Sequence, residues 1–479
     1  MPGRKPRCRL CCIRKGGAGL SFAGLVFLYF FLPSVLLGYY VLPRRWRNPF
    51  LLGANLVFYG WGEPWFLPVI LATAALNWYI GRQIAAYTAP RRRRIWLLTA
   101  LILDIGLLVV FKYAGFLLEA LGLGGLLPGT LPLPLGISFY TFQVISYVVD
   151  VYRGTVPAER SQVCFAAYMT FFPQLIAGPI VRYDELCDQL TGREETWNKM
   201  ANGFCLLMIG LGKKMLLANP MGELWQALSA QPEGIGLLGA WAGAAAFALQ
   251  IYFDFSGYSD MARGLGRLFG FELPVNFRYP YAADSIREFW RRWHITLSGW
   301  FRDYVYIPLG GSRGSTGRTV CNLLIVWVLT GLWHGAAWNF VLWGLYYFVL
   351  LTVERLIGTA RLQRVPRPLR HIGTMVLVVF GWVLFAVEDF TALGAYLRAM
   401  LSPADGWIGT QAAVTVSAYL PLLLCAAFAS LPFAGRWVRQ YSGSAWMRWG
   451  VTAGCLLLCA AGTAALAAQS YNPFLYFRF

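Results

Sequence analysis

The chain has 479 residues, of which 58% are hydrophobic and only 13% are charged. Soluble domains carry about 25% charged residues, so this composition excludes an ordinary soluble protein. The formal net charge of +19 could indicate nucleic-acid binding, but the Arg and Lys residues form short clusters between apolar runs, which is typical of membrane anchoring, and no nucleic-acid partner is expected.

Eight apolar runs follow one another along the chain, and they predict helices that cross a lipid bilayer. They cover residues 21–41, 65–80, 95–118, 241–253, 320–351, 374–387, 412–431 and 449–468. Several reach the roughly 20 residues that cross about 30 Å of hydrocarbon. We therefore expect an all-α, polytopic membrane protein. Residues 1–20 would form a basic N-terminal tail, and residues 21–479 would form one transmembrane domain whose first helix, 22–41, is retained.

Proline and glycine interrupt the apolar pattern at residues 131–136, 172–179 and 306–314. Broken helices at membrane depth must line a cavity or be buried in protein, because lipid cannot bond freed backbone groups. Broken or re-entrant helices around a cavity are therefore expected. The polar stretch 182–202 is predicted to be a surface loop, and the charged, aromatic stretch 276–317 is predicted to lie near the membrane interface.

Charged residues next to apolar runs need partners. Asp254 and Asp260 follow the run 241–253, and we expect them to pair with Arg263 or Arg267. Lys213 and Lys214 are interpreted as one of the basic clusters between runs. Most of the ten cysteines are expected to pack as small apolar residues, while Cys8, Cys11 and Cys12 beside the basic tail are candidates for reversible acylation.

His334 is one of three histidines in the chain and lies between two apolar stretches. An ionisable side chain at that depth is costly and is a functional candidate by default. Small residues at positions 331 and 335–337 leave room beside it for a helix or a substrate. A neutral imidazole can accept a proton from a hydroxyl, which O-acyl transfer requires. The residues alone equally favour a core histidine that bonds across helices.

A second histidine, His294, lies in the aromatic and basic segment 287–304. If this segment is one helix, five polar residues form a stripe along it: Arg287, Arg291, His294, Ser298 and Arg302. His294 would then face either the reaction path or solvent. The two histidines are too far apart in sequence for a metal-binding motif, so no metal is expected. The third histidine, His371, follows a basic run and is interpreted as an interfacial residue.

Four segments resemble the membrane-bound O-acyltransferase (MBOAT) family and occur in that family's order: residues 171–180, 254–260, 289–304 and 331–339. Within the family, Ile-Pro-Leu-Gly-Gly at 307–311 and the terminal stretch 471–479 resemble the alginate O-acetyltransferase membrane subunit. The resemblance covers nearly the whole chain. Any one segment alone would be weak, whereas four in order are specific.

The resemblance implies a many-helix fold around a tunnel, with a catalytic centre at about residues 171–347. His334 matches the family's catalytic histidine, and His294 matches the second histidine of its bacterial branch. It also implies acetyl-CoA as the cytoplasmic donor, with no tightly bound cofactor. The acetyl group would cross the bacterial cell membrane to an extracytoplasmic partner protein or cell-envelope polysaccharide. Trp333, Asn339, Arg291 and Ser298 flank the histidines and are predicted to bind substrate.

Two other functions remain open from the sequence. One is D-alanyl transfer from a carrier protein towards teichoic acid, in a related branch of the family; the other is polysaccharide or lipid transport without catalysis. The segment 307–311 favours acetylation. The mechanism expected is direct transfer with His334 as general base and without an acyl-cysteine, because no Cys adjoins either histidine in sequence. Arg287, Arg291 and Arg302 would guide donor phosphates or, alternatively, bind anionic lipid.

Overall fold

The computed structural model describes residues 20–126, 131–230, 232–441, 443–468 and 474–475. Cys8, Cys11, Cys12 and nearly all of the predicted basic tail lie outside these residues, as does most of the stretch 471–479. Within the described ranges the secondary structure is helical and contains no strand, as predicted.

Nine α-helices form the N-terminal region. Their bounds are α1 Leu32–Val41, α2 Arg44–Gly62, α3 Leu67–Ala86, α4 Pro90–Leu108, α5 Ala114–Ala120, α6 Ile137–Arg153, α7 Gln162–Met169, α8 Phe172–Leu175 and α9 Tyr183–Gly192. A π-helical turn, Phe27–Phe31, leads into α1, and another, Val109–Tyr113, joins α4 to α5.

Five helices form the central region and eight follow it. The central five are α10 Trp197–Gly212, α11 Asn219–Ser229, α12 Gly236–Leu268, α13 Ile286–Arg292 and α14 Ile295–Phe301. The last eight are α15 Thr316–His334, α16 Trp338–Ile357, α17 Thr359–Leu362, α18 Arg367–Ala386, α19 Phe390–Leu401, α20 Thr410–Ala429, α21 Phe433–Gln440 and α22 Ala445–Ala468. π-Helical turns join α10 to α11 and follow α14.

Nine helices in the described part of the chain are long and apolar enough to cross a membrane. The first predicted span is not among them, because its apolar helix, Phe27–Val41, is shorter than 18 residues. Phe22 does not extend that helix. Its ring instead packs against Phe58 at 5.6 Å and Tyr258 at 4.9 Å. The first predicted helix, 22–41, therefore begins later than predicted and is shorter.

The long helix α12 corrects two further predictions. The apolar run covers only residues 241–253, but the helix is 33 residues long and includes Asp254 and Asp260. These carboxylates lie 2.6 Å from Lys214 and Lys213, respectively, on the neighbouring π-helical turn. The two lysines lie inside the span Trp197–Ser229 rather than between spans, and each pairs with one of these carboxylates.

Of the two arginines predicted to pair with Asp254 or Asp260, one is confirmed. Arg263 lies 3.5 Å from Asp260, as expected, whereas Arg267 pairs with Glu272 at 3.0 Å. The stretch 182–202 is not a loop, since it contains α9 and the start of α10. Three apolar side chains of α9 are buried, so its helical periodicity packs one face against the protein: Tyr183, Leu186 and Leu190.

Two hydrophobic cores meet along α12. The C-terminal part of the helix, from Tyr258 to Leu268, belongs to the core of the N-terminal region, and residues 240–255 belong to the core of the C-terminal region. Phe474 and Leu475 close the junction, because they enter the first and the second core, respectively. The Leu475 amide donates a hydrogen bond to the Asp254 carboxylate at 2.7 Å. The tail is thus fixed to the centre of the molecule.

Helices α15 and α16 form a tight hairpin joined by residues 335–337. A Cβ atom on Gly331 would come within 2.3 Å of the Phe340 carbonyl oxygen, and one on Gly344 within 2.4 Å of the Trp327 carbonyl oxygen. Only glycine permits this backbone contact, which is typical of membrane helices that pack through small residues. The contact sets the position of the end of α15, where His334 lies.

Candidate active site

His334 is the last residue of α15 and lies in a buried aromatic pocket. The helix ends there because Gly335 adopts an extended backbone conformation. The ring centroid of His334 lies 5.1 Å from those of Trp333 and Trp343 and 5.3 Å from that of Phe385. No hydrogen bond from the described residues reaches either ring nitrogen. The imidazole is therefore free to accept a proton from a reactant.

His294 lies in the turn between α13 and α14 and has a left-handed backbone conformation, with φ 45° and ψ 54°. Such a conformation costs a non-glycine residue about 1–3 kcal/mol and persists only where the surroundings hold it. Asn276 holds it here. Its carbonyl oxygen accepts a hydrogen bond from the Ile295 amide at 3.0 Å, and its side-chain oxygen accepts one from the Thr296 amide at 3.1 Å.

The His294 side chain is buried, and its Nδ1 atom has no hydrogen-bond partner among the described residues. Burial lowers the pKa of His294 to about 3, because an imidazolium ion would lose its hydration there. The ring is consequently neutral at physiological pH. A neutral imidazole offers one N–H donor and one acceptor nitrogen to a reactant.

The two histidines, which are far apart in the sequence, face each other in the structure. Their ring centroids are 6.5 Å apart, and their planes are inclined by 71°. Trp333 contacts both rings, with its centroid 5.9 Å from that of His294. Residues that are distant in the sequence thus form one cluster of rings around the two histidines, at the junction of the two cores.

The predicted stripe of polar residues around His294 does not exist, because the segment 287–304 is not one helix. Helix α13 ends at Arg292, and the left-handed turn at His294 redirects the chain into α14. Arg291 and Ser298 therefore lie on different helices. Arg302 forms an ion pair with Asp303 at 2.6 Å, whereas Arg291 forms no salt bridge with a described residue.

Arg291 lines a polar cavity of 630 Å³ between α13, α15 and α16. The cavity wall also contains Arg287 and Arg355. Its carboxylates have partners: Asp284 pairs with Arg370 at 2.7 Å, and Glu354 accepts a hydrogen bond from the Ile286 amide at 2.8 Å. The guanidinium groups of Arg287 and Arg291 form no salt bridge with a described residue. They are therefore available to an anionic ligand.

Ser298 lines a second cavity, of 160 Å³, together with Thr330. Tyr306 and Leu323 belong to the walls of both cavities. Ser298 lies one helical turn after His294, and Thr330 lies one turn before His334. The smaller cavity thus adjoins the arginine-lined cavity, and its wall contains residues one helical turn away from each histidine.

Trp333 contacts the His334 ring, Asn339 bonds the backbone of Phe385, and both residues support the fold. The Trp333 Nε1 atom donates a hydrogen bond to the Ser138 carbonyl oxygen at 3.4 Å. Asn339 is fully buried and donates its amide to the Phe385 carbonyl oxygen at 3.0 Å. Its own side-chain oxygen has no described partner. Asn339 therefore fixes the Phe385 wall of the pocket and leaves one acceptor unused.

Several residues that contact or support the two histidine segments were not predicted from the sequence. Lys112 donates hydrogen bonds to the Trp333 carbonyl oxygen and to the Ser138 hydroxyl, the latter at 3.1 Å. Phe385 and Asn276 were also not identified. A lysine inside the apolar run 95–118 was a visible signal, because charged residues within a span are rare. No sequence signal marked Phe385.

Comparison with known proteins supports this architecture. The model of the membrane-bound O-acyltransferase family matches residues 160–394. A probable alginate O-acetylase AlgI from Azotobacter vinelandii is 39% identical over 96% of this chain and 100% of its own length. A peptidoglycan O-acetyltransferase from Helicobacter pylori is 33% identical over 80% of each chain. A teichoic acid D-alanyltransferase from Streptococcus thermophilus is 30% identical over 46% of this chain and 56% of its own length.

The family match and the similarity to the first relative both extend over the region that carries His294 and His334. The chain is therefore a multi-pass membrane enzyme of the acyltransferase class, and it belongs to the membrane-bound O-acyltransferase family.

Proposed function

We propose that the protein is an O-acetyltransferase that moves an acetyl group from acetyl-CoA, on the cytoplasmic side of the cell membrane, to a hydroxyl of an extracytoplasmic polysaccharide or partner protein. The names of two relatives, an alginate O-acetylase and a peptidoglycan O-acetyltransferase, support a glycan as the final acceptor. One membrane domain, residues 21–479, would carry the activity. The proposed catalytic centre comprises residues 171–347 together with Lys112 and Phe385, which lie outside that range.

The observation that carries this proposal is the pair of buried histidines whose ring centroids are 6.5 Å apart. His334 has no hydrogen-bond partner in the described part of the protein, although a buried polar group normally has one. A reactant hydroxyl could donate its hydrogen bond, and then its proton, to the unprotonated ring nitrogen of His334. Catalysis accounts for the unpartnered imidazole better than transport does, because a transporter needs no base.

In the proposed reaction, His334 accepts the proton of the acceptor hydroxyl as the hydroxyl oxygen attacks the thioester carbonyl. A carbon–oxygen bond forms, and the carbon–sulfur bond then breaks. The thiolate of CoA receives the proton back from His334, so the enzyme returns to its starting state. No acyl-enzyme is formed, and no proton is gained or lost overall.

His294 is proposed to hold a reactant or to stabilise charge rather than to exchange a proton. Its ring is neutral, so it can donate one N–H to an oxygen that becomes negative during the reaction. Asn276 fixes the strained turn in advance, and the donor therefore does not need to be reoriented when the charge develops. This arrangement is typical of oxyanion stabilisation.

The arginine-lined cavity is the proposed site for the phosphates of the donor. Arg287 and Arg291 form no salt bridge with a described residue, and arginine matches phosphate geometry well. The pantetheine arm would extend through the narrower cavity lined by Ser298 and Thr330. The thioester would then lie near both histidines.

The cytoplasmic position of this cavity is supported by a chain of contacts from the basic stretch 91–94. Arg93 donates a hydrogen bond to the Tyr152 carbonyl oxygen at 2.7 Å, and Arg153 donates one to the Asp303 carbonyl oxygen at 3.1 Å. Asp303 lies in the same π-helical turn as Tyr306, which lines the cavity. Clusters of arginine next to spans favour the cytoplasm, so the cavity entrance is proposed to open there.

Everted membrane vesicles provide the test, because their outer face is the cytoplasmic one. Acetyl-labelled acetyl-CoA would be added outside, and label in lumenal polymer or protein would be measured. We expect transfer that the His334→Ala variant lacks. Absence of any His334-dependent transfer would overturn the proposal.

The same vesicles separate acetylation from D-alanyl transfer, which the match to a teichoic acid D-alanyltransferase over 46% of the chain keeps as a second candidate. A D-alanyl carrier protein replaces acetyl-CoA in a parallel reaction. Labelling from the carrier protein but not from acetyl-CoA would replace the proposed donor. Labelling from acetyl-CoA alone would exclude the second candidate.

A further inference from the structure

A charged residue from the N-terminal region, Lys112, is bonded to the end of the helix that carries His334. Its Nζ atom donates a hydrogen bond to the Trp333 carbonyl oxygen, one residue before His334. The same atom donates a second one to the Ser138 hydroxyl at 3.1 Å. Lys112 therefore links the α4–α5 segment, α6 and α15 at one point.

The neighbouring residue reinforces this link. The Tyr113 hydroxyl donates to the Leu332 carbonyl oxygen at 2.8 Å, so two consecutive residues bond two consecutive carbonyls at the end of α15. The last carbonyls of a helix have no partner within it and carry a partial negative charge. Both donors belong to the π-helical turn Val109–Tyr113, and such turns occur often at functional sites.

Lys112 has no carboxylate partner within 4.0 Å in the described part of the chain. The two lysines of the span Trp197–Ser229 differ in this respect, since each pairs with an aspartate at 2.6 Å. An unpaired cation inside a span is costly and is retained where it has a function. Its position beside His334 indicates what that function is.

We propose that Lys112 is a positioning residue for acyl transfer: it fixes the Trp333 carbonyl, and through it the His334 ring. Its Nζ atom donates hydrogen bonds to both Ser138 and Trp333, so it holds α6 against the end of α15. The inference rests on the proposed role of His334. It adds a residue from the first half of the chain to a centre built mainly from the second half.

The test compares steady-state acetyl transfer by wild-type protein and three variants, Lys112→Met, Lys112→Gln and Lys112→Arg. Misplacing a catalytic group by about 1 Å can reduce the rate about 100-fold, and we expect a kcat loss of that order for Lys112→Met with an unchanged KM for acetyl-CoA. Lys112→Gln keeps a donor on a shorter side chain, which does not reach both acceptors, and it should remain impaired. Lys112→Arg keeps the reach and several N–H donors and should recover most of the rate.

Tyr113→Phe is the matched control, because it removes one neutral hydrogen bond from the same helix end. It should lower kcat much less than Lys112→Met does. Gel filtration in detergent and a thermal melt establish that each variant is folded. If Lys112→Met does not fold, Lys112→Gln and Lys112→Arg decide the question by the same comparison.

Three results would overturn the inference: wild-type kcat in Lys112→Gln, no recovery in Lys112→Arg, or a loss confined to KM. His334→Ala, assayed in parallel, keeps this failure distinct from failure of the proposed function. An inactive His334→Ala with a fully active Lys112→Gln refutes only the role of Lys112. An active His334→Ala refutes the proposed general base instead.

Discussion

The side-chain oxygen of Asn276 accepts hydrogen bonds from both the amide and the hydroxyl of Thr296, at 3.1 and 3.0 Å, and this pair holds the turn at His294. Asn276→Ala leaves these donors without their acceptor, at a cost of about 1–3 kcal/mol. We expect a lower melting temperature and a large loss of turnover, because the left-handed backbone at His294 relaxes. Asn276→Asp keeps an acceptor oxygen and should retain more activity. Equal activity of Asn276→Ala and wild type would show that the turn needs no such support.

Replacement of His334 should stop the chemical step without unfolding the protein. A general base contributes about 10²–10⁴-fold in rate, so His334→Ala is expected to lose at least about 100-fold in kcat. The surrounding aromatic pocket and the glycine contacts of the hairpin remain, and the melting temperature should change little. Turnover above about a tenth of the wild-type value would contradict the assignment of the base.

The neutral state of His294 predicts a specific pH dependence. Because its pKa is about 3, the ring stays uncharged between about pH 5 and 8, and His294→Gln should reduce kcat/KM by the same factor throughout this range. The folded pKa lies below the unfolded value of about 6.5, so the stability that His294 contributes is present above that pH and declines below it. The wild-type melting temperature should therefore fall relative to that of His294→Gln on acidification. A rate ratio that changes with a midpoint inside the range would show that His294 titrates during catalysis.

Charge reversal at Arg291 tests the donor site. Arg291→Glu places a negative charge in the arginine-lined cavity, so the KM for acetyl-CoA should rise and its dependence on salt should weaken. The maximal rate should change less than in His334→Ala. Arg436→Glu, on the exposed side of α21 and outside the cavity, is the matched control and should leave KM unchanged. The measurement is made in neutral detergent, so that anionic lipid does not contribute. An unchanged KM in Arg291→Glu would leave the arginine as a lipid anchor.

The ion pair between Lys214 and Asp254 is expected to stabilise the junction of the two cores only as long as both partners are present. Lys214→Met leaves a buried carboxylate without its cation, which costs about 3–5 kcal/mol. Adding Asp254→Asn removes that charge and keeps an oxygen for the Leu475 amide. The double variant should therefore melt above Lys214→Met. Additive melting-temperature losses of the two single changes would show that the residues do not interact.

The sequence predicted the residue types of the site better than their arrangement. His294 and His334 were identified because a histidine among small or aromatic residues at membrane depth is costly and is retained where it has a function. The predicted helix through 287–304 failed because helical periodicity cannot reveal a single left-handed residue. Tertiary hydrogen bonds from Asn276, which lies outside that segment, stabilise the turn and determine the path of the chain.

The spans were predicted where apolar runs are uninterrupted and missed where charges are neutralised. Lys213 and Lys214 interrupt the hydropathy of their span, so the sequence pattern assigned them to a boundary. Their partners, Asp260 and Asp254, are on another helix, and pairing across helices cannot be read from periodicity. Lys112 is visible as a charged residue type within an apolar run, but the same limit hid its acceptors Trp333 and Ser138, which are distant in sequence.

The enclosure of Phe474 and Leu475 has a consequence for the biosynthesis of the protein. These residues leave the ribosome after every described helix, yet they fill the junction of the two cores, where the Phe474 ring lies 4.9 Å from that of Tyr258. Neither residue can occupy this junction until the helices that form the two cores have been synthesised. Closure of the two cores around Asp254 therefore depends on residues that are made after the last described helix.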